Sequence, residues 1–340
     1  MIDKAPTTAA SPLARLRAVH PLAPWALSAI VLAPLPWLAR NEYQVYLLDY
    51  TCVMILLSVG LNIVKGFAGQ VTVGHIGLFA IGAYSSAILS LNFGLPFWLS
   101  LPSAVAITAA AGVVVGIPSF RLEGAYLALA TLGLAESVRV FITVTPYLGM
   151  MMGIGDIPAP AIGDFAFDTW TRYWFLLMPV TLLGIYFSFG ILRSRVGHAF
   201  KALREDPIAA AAAGINVRRY KLLAFVISAI YAGFAGGLIA HMPPGFINPN
   251  NFTLLEMVTL LLMVVVGGIG NIWGGIIGAI LVTIVFDLTR DYPWHQLVLF
   301  GGVIVLTVRF MPKGIGGLIE RYVVTRRFIA ARRRTLGDAA

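Results

Sequence analysis

The chain has 340 residues, of which 59% are hydrophobic and 11% are charged, and this balance excludes an ordinary soluble domain. The net charge of +9 is concentrated in loops and tails: 1–17 holds three basic and one acidic residue, 193–221 seven and two, and 309–340 eight and two. Basic residues gathered in short segments indicate the orientation of membrane helices, so the charge does not predict nucleic-acid binding.

Long apolar runs predict an all-α polytopic membrane protein with about 8–10 transmembrane helices, some of them broken. Between Gly66 and Phe120, for example, 55 residues carry no formal charge, which is enough for two crossings of about 20 residues each. In chain order, the predicted spans are 24–39, 45–64, 74–92, 97–117, 125–144, 172–192, 222–241, a long run 252–288 that breaks at Gly267–Gly275, and 294–311.

These spans predict one membrane domain between two tails. The predicted segments are a loosely ordered tail at 1–23, a transmembrane domain at 24–318 and a basic tail at 319–340. With six crossings before the polar segment 193–221 and four after it, that segment and both termini are predicted to face the cytoplasm. No basic residue marks the side on which the Gly267–Gly275 break lies.

The segment 193–221 is the one long polar interruption of the chain, and its residues predict two short helices that meet at Glu205–Asp206. Asp206 suits the N-cap of the second helix, Pro207 suits its first position, and Gly214 suits the left-handed residue that ends it. A hairpin with one apolar, alanine-rich face is typical of an element that docks into another protein's groove. The alternative is an ordinary basic cytoplasmic loop.

A second unusual segment, 66–77, contains four glycines together with Gln70 and Thr72. This composition predicts irregular backbone that helps to shape a polar path in the middle of the membrane, because non-helical backbone is tolerated there only inside protein or beside water. The alternative is that the glycines let neighbouring helices pack closely.

Ionisable and polar residues inside the predicted spans are expected to face the bundle interior or a water-filled path. Glu136 and Arg139 lie three apart on one helical face, and they either form a structural ion pair or line the path. His75 is expected to make a hydrogen bond between packed helices. Asp49 and Asp287 lie near predicted span ends and are expected to reach the membrane interface.

The sequence lacks the motifs of nucleotide binding and of common catalytic sites. It contains no GxxxxGK[ST], HExxH, GxSxG or CxxC motif, its one cysteine is Cys52, and its five histidines are scattered without ligand spacing. We therefore expect neither an enzyme nor a metal site, and we expect that the chain does not bind ATP itself.

Five blocks carry a resemblance to a known family. LNIVKGFAGQVTVGHIGLFAIGAY (61–84), EGAYLALATLGLAESVR (123–139), REDPIAAAAAGINVRRYKLLAFVISA (204–229), VVGGIGNIWGGIIGA (265–279) and FMPKGIGG (310–317) resemble the permease subunits of high-affinity branched-chain amino acid ABC transporters. The similarity is greatest to the longer of the two permeases of that system. Permeases of urea, amide and other small-solute importers look similar, so the blocks do not identify the solute.

The resemblance implies a non-enzymatic transport subunit in a bacterial inner membrane. Its implied partners are a second homologous permease, two ABC ATPase subunits and a soluble periplasmic binding protein, with no nucleic acid. The implied cofactor requirement is ATP, used by the ATPase subunits and not bound by this chain. The competing hypothesis is a stand-alone secondary transporter or channel, which would need coupling-ion sites and usually an internal repeat.

The resemblance also implies functional residues. The ATPase-coupling residues are expected to be Glu205, Asp206, Pro207, Ile208, Ala209, Ala210 and Gly214. The candidates for the translocation path come instead from the glycine-rich segment and the polar residues inside the spans, and they are Gly69, Gln70, Thr72, His75, Glu136 and Arg139. The chain departs from the general permease motif at Ile208, where a glutamate usually precedes the two alanines, and Glu205 and Asp206 are the acidic residues nearby.

Overall fold

The computed structural model of the protein describes residues 23–289, 298, 301–303, 305–307, 309 and 314–317. Nearly all of the two predicted tails and much of the predicted span 294–311 lie outside the described residues. The helices are α1 (Ala23–Leu32), α2 (Leu35–Leu38), α3 (Glu42–Leu61), α4 (His75–Leu91), α5 (Phe97–Gly116), α6 (Gly124–Val144), α7 (Trp170–Arg193), α8 (Arg195–Glu205), α9 (Pro207–Ala212), α10 (Val217–Ala240), α11 (Leu254–Gly267) and α12 (Ile272–Leu288).

The predicted fold class is confirmed. Five helical segments are long and apolar enough to cross a membrane: Glu42–Phe67, Phe97–Phe120, Gly124–Val144, Trp170–Arg193 and Val217–Ala240. Four shorter apolar helices accompany them within the described part of the chain: Leu27–Leu38, His75–Leu91, Leu254–Gly267 and Ile272–Leu288. Two-residue strands β1 (Ala161–Ile162) and β2 (Phe165–Ala166) form a small antiparallel hairpin.

Helix α3 is the centre of the bundle, because α7, α10, α11 and α12 all pack against it. It continues as a π-helical turn over Asn62–Phe67, and the backbone from 68 to 74 is not helical. The prediction that 66–77 is not one regular helix is therefore confirmed for 68–74, whereas His75–Gly77 already belong to α4.

Glycines of α10 bring its backbone close to two neighbouring helices. A Cβ atom at Gly233 would lie 3.0 Å from the Cα of Val105 on α5, and a Cβ atom at Gly82 on α4 would lie 2.8 Å from the Cα of Gly233. Such contacts replace side chains by direct backbone packing, which is how membrane helices associate without a hydrophobic driving force. In the predicted segment 66–77, Gly77 packs in the same way, because a Cβ atom there would lie 2.7 Å from the Cα of Ala135 on α6.

The chain breaks between α11 and α12, as predicted, and its backbone turns at Gly268 and Gly270, whose φ angles are 122° and 82°. Only glycine adopts such angles without strain. Asn271 then begins α12 as its N-cap, and its side chain accepts a hydrogen bond from Trp273 N–H at 3.0 Å. The predicted run of 37 residues, 252–288, is therefore two separate helices.

The two ends of the bundle have different loops. At one end, here called the hairpin end, α8 packs against the π-helical turn after α3 and against α10. The turn between α5 and α6 also lies against α10 at this end, where Lys221 Nζ is 2.7 Å from Glu123 Oε1. At the opposite end, the loops after α6 and after α10 join through paired backbone hydrogen bonds of 2.9 Å between Ile154 and Ile247.

Candidate functional site

The hairpin formed by α8 and α9 has the predicted local structure. The Asp206 carboxylate accepts hydrogen bonds from the N–H groups of Ile208 at 2.8 Å and Ala209 at 3.1 Å, which makes it the N-cap of α9. Gly214 adopts φ 84°, and the N–H of Ile215 bonds back to Ala210 O at 3.0 Å. Both ends of the short helix are therefore fixed by local hydrogen bonds.

The apolar residues of the hairpin divide into two faces with different roles. Phe200 and Leu203 of α8 and Ala210 of α9 are at most 4% exposed, because they pack toward this chain's own bundle. Ile208 is 82% exposed, and Ala209, Ala211 and Ala212 are exposed beside it. Those four residues, here called the exposed face of α9, are the part available to a partner. Ala210 was predicted as a docking residue, but its side chain supports the hairpin from within.

The hairpin is tied to the bundle through Arg204 on α8. Its Nη1 donates a hydrogen bond to Gly66 O, in the π-helical turn that ends α3. A Cβ atom at Gly69 would lie 3.1 Å from the Cα of Arg204. At Gly270 a Cβ atom would overlap the Arg204 guanidinium. The break between α11 and α12 therefore lies at the hairpin end, a side that the charge pattern left open.

Two asparagines complete this junction between the helix breaks. Asn62 Oδ1 accepts a hydrogen bond of 2.8 Å from the N–H of Gly270, and Asn62 Nδ2 donates one of 2.8 Å to Asn271 O. We refer to Asn62, Gly66, Arg204, Gly270 and Asn271 as the inner junction. Asn62 and Asn271 were not predicted as functional residues, although an asparagine beside glycines in an apolar run is a signal that could have indicated them.

A cavity of about 540 Å³ lies in the half of the bundle away from the hairpin end, between α3, α4, α11, α12 and the loop 242–252. One face of α3 lines it from Tyr43 to Leu57, and its deeper wall is apolar, with Leu260 and Met263 of α11. Two acidic residues line it as well, Glu256 in the first turn of α11 and Asp287 near the end of α12. Tyr43 donates a hydrogen bond to Asp287 Oδ1.

The six residues predicted for the path do not line this cavity. Gly69 contacts the hairpin, Gln70 Nε2 bonds to Ala68 O at 3.2 Å, and Thr72 Oγ1 accepts from Gly74 N–H at 3.2 Å. Because Gly66 and Gly69 contact Arg204, this segment begins beside the hairpin, and its position in the middle of the membrane stays a prediction.

The remaining polar residues that were predicted to lie inside spans are His75, Glu136, Arg139 and Asp49, and each lies on a helix of the bundle. His75 is buried between Leu57 O at 3.2 Å and Ser228 Oγ at 3.1 Å, so the expected hydrogen bond between helices is confirmed. Glu136 and Arg139 form the expected ion pair on α6, where both side chains are partly exposed. Asp49 is fully buried, so the expectation that it reaches the interface was wrong.

Within the described residues, no group of three or more His, Cys, Asp or Glu side chains is arranged to hold a metal ion. The nearest approach to a polar cluster with room for a small molecule is the cavity with Glu256 and Asp287. The arrangement thus combines an exposed apolar face of α9 at one end with a cavity that extends toward the other.

Comparisons with known proteins show the family to which the chain belongs. Residues 43–308 match the family described as "Branched-chain amino acid transport system / permease component". The chain is 39% identical over 289 residues to the high-affinity branched-chain amino acid transport system permease protein LivM of Escherichia coli K12, which covers 78% of this chain and 68% of the relative. It is 36% identical over 314 residues to LivM of Salmonella typhimurium, covering 85% and 74%.

A more distant relative belongs to the same system by name. The chain is 27% identical over 289 residues to the permease protein LivH of E. coli K12, covering 78% of this chain and 91% of the relative. No solved structure matches the chain. The family match covers more than half of the chain and agrees with the identity to LivM, so the resemblance read from the sequence is confirmed. The chain belongs to the family of branched-chain amino acid transport system permease components, the membrane subunits of ABC importers.

Proposed function

We propose that this chain imports branched-chain amino acids across a bacterial inner membrane, as one of two permeases whose hairpins bind separate ATPase subunits. The observation that carries the proposal is the exposed face of α9, fixed at both ends and located at the end of the bundle away from the cavity. The hairpin end then faces the cytoplasm, and a periplasmic binding protein delivers the solute at the opposite end.

The exposed face of α9 has the chemistry of a docking element. A large side chain that is 82% exposed, Ile208, is flanked by the acidic residues Glu205 and Asp206. Burial of one such aliphatic side chain in a partner's groove contributes about 1.5–3 kcal/mol. The sequence contains no phosphate-binding loop, so the nucleotide that drives transport is bound and hydrolysed by the partner, and this chain contributes no catalytic step.

The cavity has the chemistry of a site for an amphiphilic amine. Its carboxylates at Glu256 and Asp287 suit an ammonium group, and its apolar wall, with Met54, Leu57 and Leu260, suits an aliphatic side chain. Small-molecule sites commonly combine a mostly apolar lining with a few polar groups that set orientation. A branched-chain amino acid presents both parts.

Reconstitution in liposomes tests this function. We expect uptake of radiolabelled leucine only when this chain, its partner permease, the ATPase subunits, the binding protein and ATP are all present. The chain alone is expected to show no uptake driven by a sodium or proton gradient. Gradient-driven uptake by the chain alone would contradict the proposal and support the secondary transporter.

The exposed face of α9 is tested by Ile208→Asp. This change places a charge in the docking surface but outside the bundle, so we expect loss of ATPase copurification at normal membrane levels of the permease. Ile162→Asp is the matched control, because Ile162 is 59% exposed at the opposite end of the bundle. Full ATPase copurification with the Ile208 variant would show that α9 does not dock there.

A further inference from the structure

Helix α3 changes character along one of its faces. From Tyr43 to Leu57 it lines the cavity, whereas the following positions Ser58, Asn62 and Gly66, spaced by four residues, bond to other segments. Ser58 Oγ donates to Gly275 O at 3.1 Å, Asn62 bonds to Gly270 and Asn271, and Gly66 O accepts from Arg204. The cavity therefore ends where this run of hydrogen bonds begins.

The inner junction leaves no space for a solute. A Cβ atom at Gly66 would overlap Asn62 Oδ1 and would lie 2.5 Å from the backbone nitrogen of Gly270. A Cβ atom at Gly314 would lie 2.5 Å from the Cα of Gly268, in the same break. Backbone meets backbone here, so the structure is closed at the hairpin end of the cavity.

Arg204 connects this closed region to the hairpin. Among the described hydrogen bonds of side chains on α8 and α9, the bond from Arg204 to Gly66 O is the one that reaches a membrane helix. Its guanidinium also lies against Gly270, so a single side chain contacts both helix breaks. Arg204 is followed by Glu205 and by the N-cap Asp206, so only two residues separate it from the start of α9 at Pro207.

We propose that Arg204 is the positioning residue that holds the inner junction closed, and that displacement of the hairpin by the ATPase opens the cavity toward the cytoplasm by withdrawing it. This inference rests on the proposed function and adds the location of the gate and the residue that moves it. The five residues of the inner junction include no carboxylate for the guanidinium to pair with. The guanidinium instead donates a hydrogen bond to the backbone carbonyl of Gly66, which lies in the π-helical turn. A gate of this kind opens at low cost because few bonds must break.

The test is Arg204→Gln in liposomes that contain the complete transporter. Two quantities are measured, the leucine transported per ATP hydrolysed and the leak of leucine without ATP. We expect the variant to retain ATPase copurification and hydrolysis, to transport at least about tenfold less leucine per ATP, and to leak in the absence of ATP. Lys201→Gln removes one positive charge from the exposed side of the same helix and is expected to behave as wild type.

Arg204→Lys separates gating from general structural damage. Its ammonium group still donates to a carbonyl, so we expect it to suppress the leak and to restore much of the coupling ratio. A wild-type coupling ratio with no leak in Arg204→Gln would overturn the inference. Equal defects in the Gln and Lys variants, with loss of ATPase copurification, would overturn it as well, because they would indicate a misfolded hairpin. Failure of the wild-type assembly to transport leucine would instead contradict the proposed function.

Discussion

The two ends of the bundle are built in opposite ways. At the hairpin end, backbone segments meet through glycines and are joined by hydrogen bonds from Asn62 and Arg204. At the opposite end, aromatic side chains, two carboxylates and a loop surround a cavity of about 540 Å³. One end is closed by main chain, and the other is lined by side chains.

This difference has a functional consequence. Backbone contacts have nearly no tolerance for added atoms, since interiors are close-packed and a single methyl group is felt. A side-chain-lined cavity adapts to small changes in its ligand or lining. Substitutions that add atoms where backbone meets backbone are therefore expected to act as all-or-none defects, and substitutions around the cavity as graded changes in uptake.

The largest effect is expected from Gly66→Ala. The added Cβ overlaps Asn62 Oδ1 and approaches the Gly270 backbone, which has no flexible side chain to move away. Overpacking of this kind costs about 1–3 kcal/mol or more, so we expect a clear loss of thermal stability in detergent and loss of uptake. Gly133→Ala is the control, because a Cβ atom at Gly133 meets nothing within 4 Å. Equal stability of the two variants would show that the junction is not close-packed.

A smaller effect at the same end is expected from Gly214→Val. The residue has φ 84°, which a β-branched side chain resists at about 1–2 kcal/mol, although a Cβ atom there has free space. The end of α9 then shifts while the bundle stays folded, and we expect reduced copurification of the ATPase. Gly214→Asn is the matched variant, because asparagine tolerates this conformation. If valine and asparagine behave alike, the angle at the end of α9 is not important for docking.

Much of this structure could be predicted because its signals are local. The Asp206 cap, the turn at Gly214 and the break after Gly267 each depend on residues within one or two helical turns. The prediction for Asp49 failed because α3 begins at Glu42 and not at 45, which places Asp49 two turns inside the helix. The face of α9 could not be chosen from PIAAAA, since alanines on all sides look alike.

The inner junction could not be predicted, because it joins residues far apart in the chain. Arg204 and Gly66 are separated by 138 positions, and Asn62 and Asn271 by 209. No periodicity or capping rule relates such positions, and only tertiary packing brings them together. The same limit applies to the cavity, whose two acidic residues, Glu256 and Asp287, lie on different helices.

The graded behaviour of the opposite end is tested by Glu256→Gln. If Glu256 binds the ammonium group of the solute, loss of its charge removes a charge-assisted hydrogen bond worth about 1.5–3 kcal/mol at most. Taking the low end of that range, we expect roughly tenfold lower uptake at limiting solute concentration, with normal membrane levels and ATPase copurification. Asp164→Asn, an exposed acidic residue in the β1–β2 turn, controls for loss of charge alone. Unchanged uptake in the Glu256 variant would show that this carboxylate does not bind the solute.

The smallest effect concerns the packing of the loops at the opposite end, through His241. This residue follows α10, is 1% exposed, and its Nδ1 donates to Pro158 O at 2.8 Å while its Nε2 lies 2.9 Å from Ser86 Oγ. Burial lowers the pKa of His241 below its ordinary value of 6.5, and the bond to Pro158 O only partly offsets this. Below pH 6.5 the unfolded chain therefore binds a proton that the folded chain does not, so stability falls as the pH decreases toward the lowered pKa and is unaffected above 6.5. We expect the Tm in detergent to decrease between pH 7.5 and pH 5.5 by no more than about 2 °C on this account.

His241→Gln keeps a buried polar side chain without the titration and is expected to lower the Tm at both pH values while reducing the difference between them. The other histidines are common to both proteins, so an equal pH dependence in wild type and variant would show that His241 does not titrate in this range.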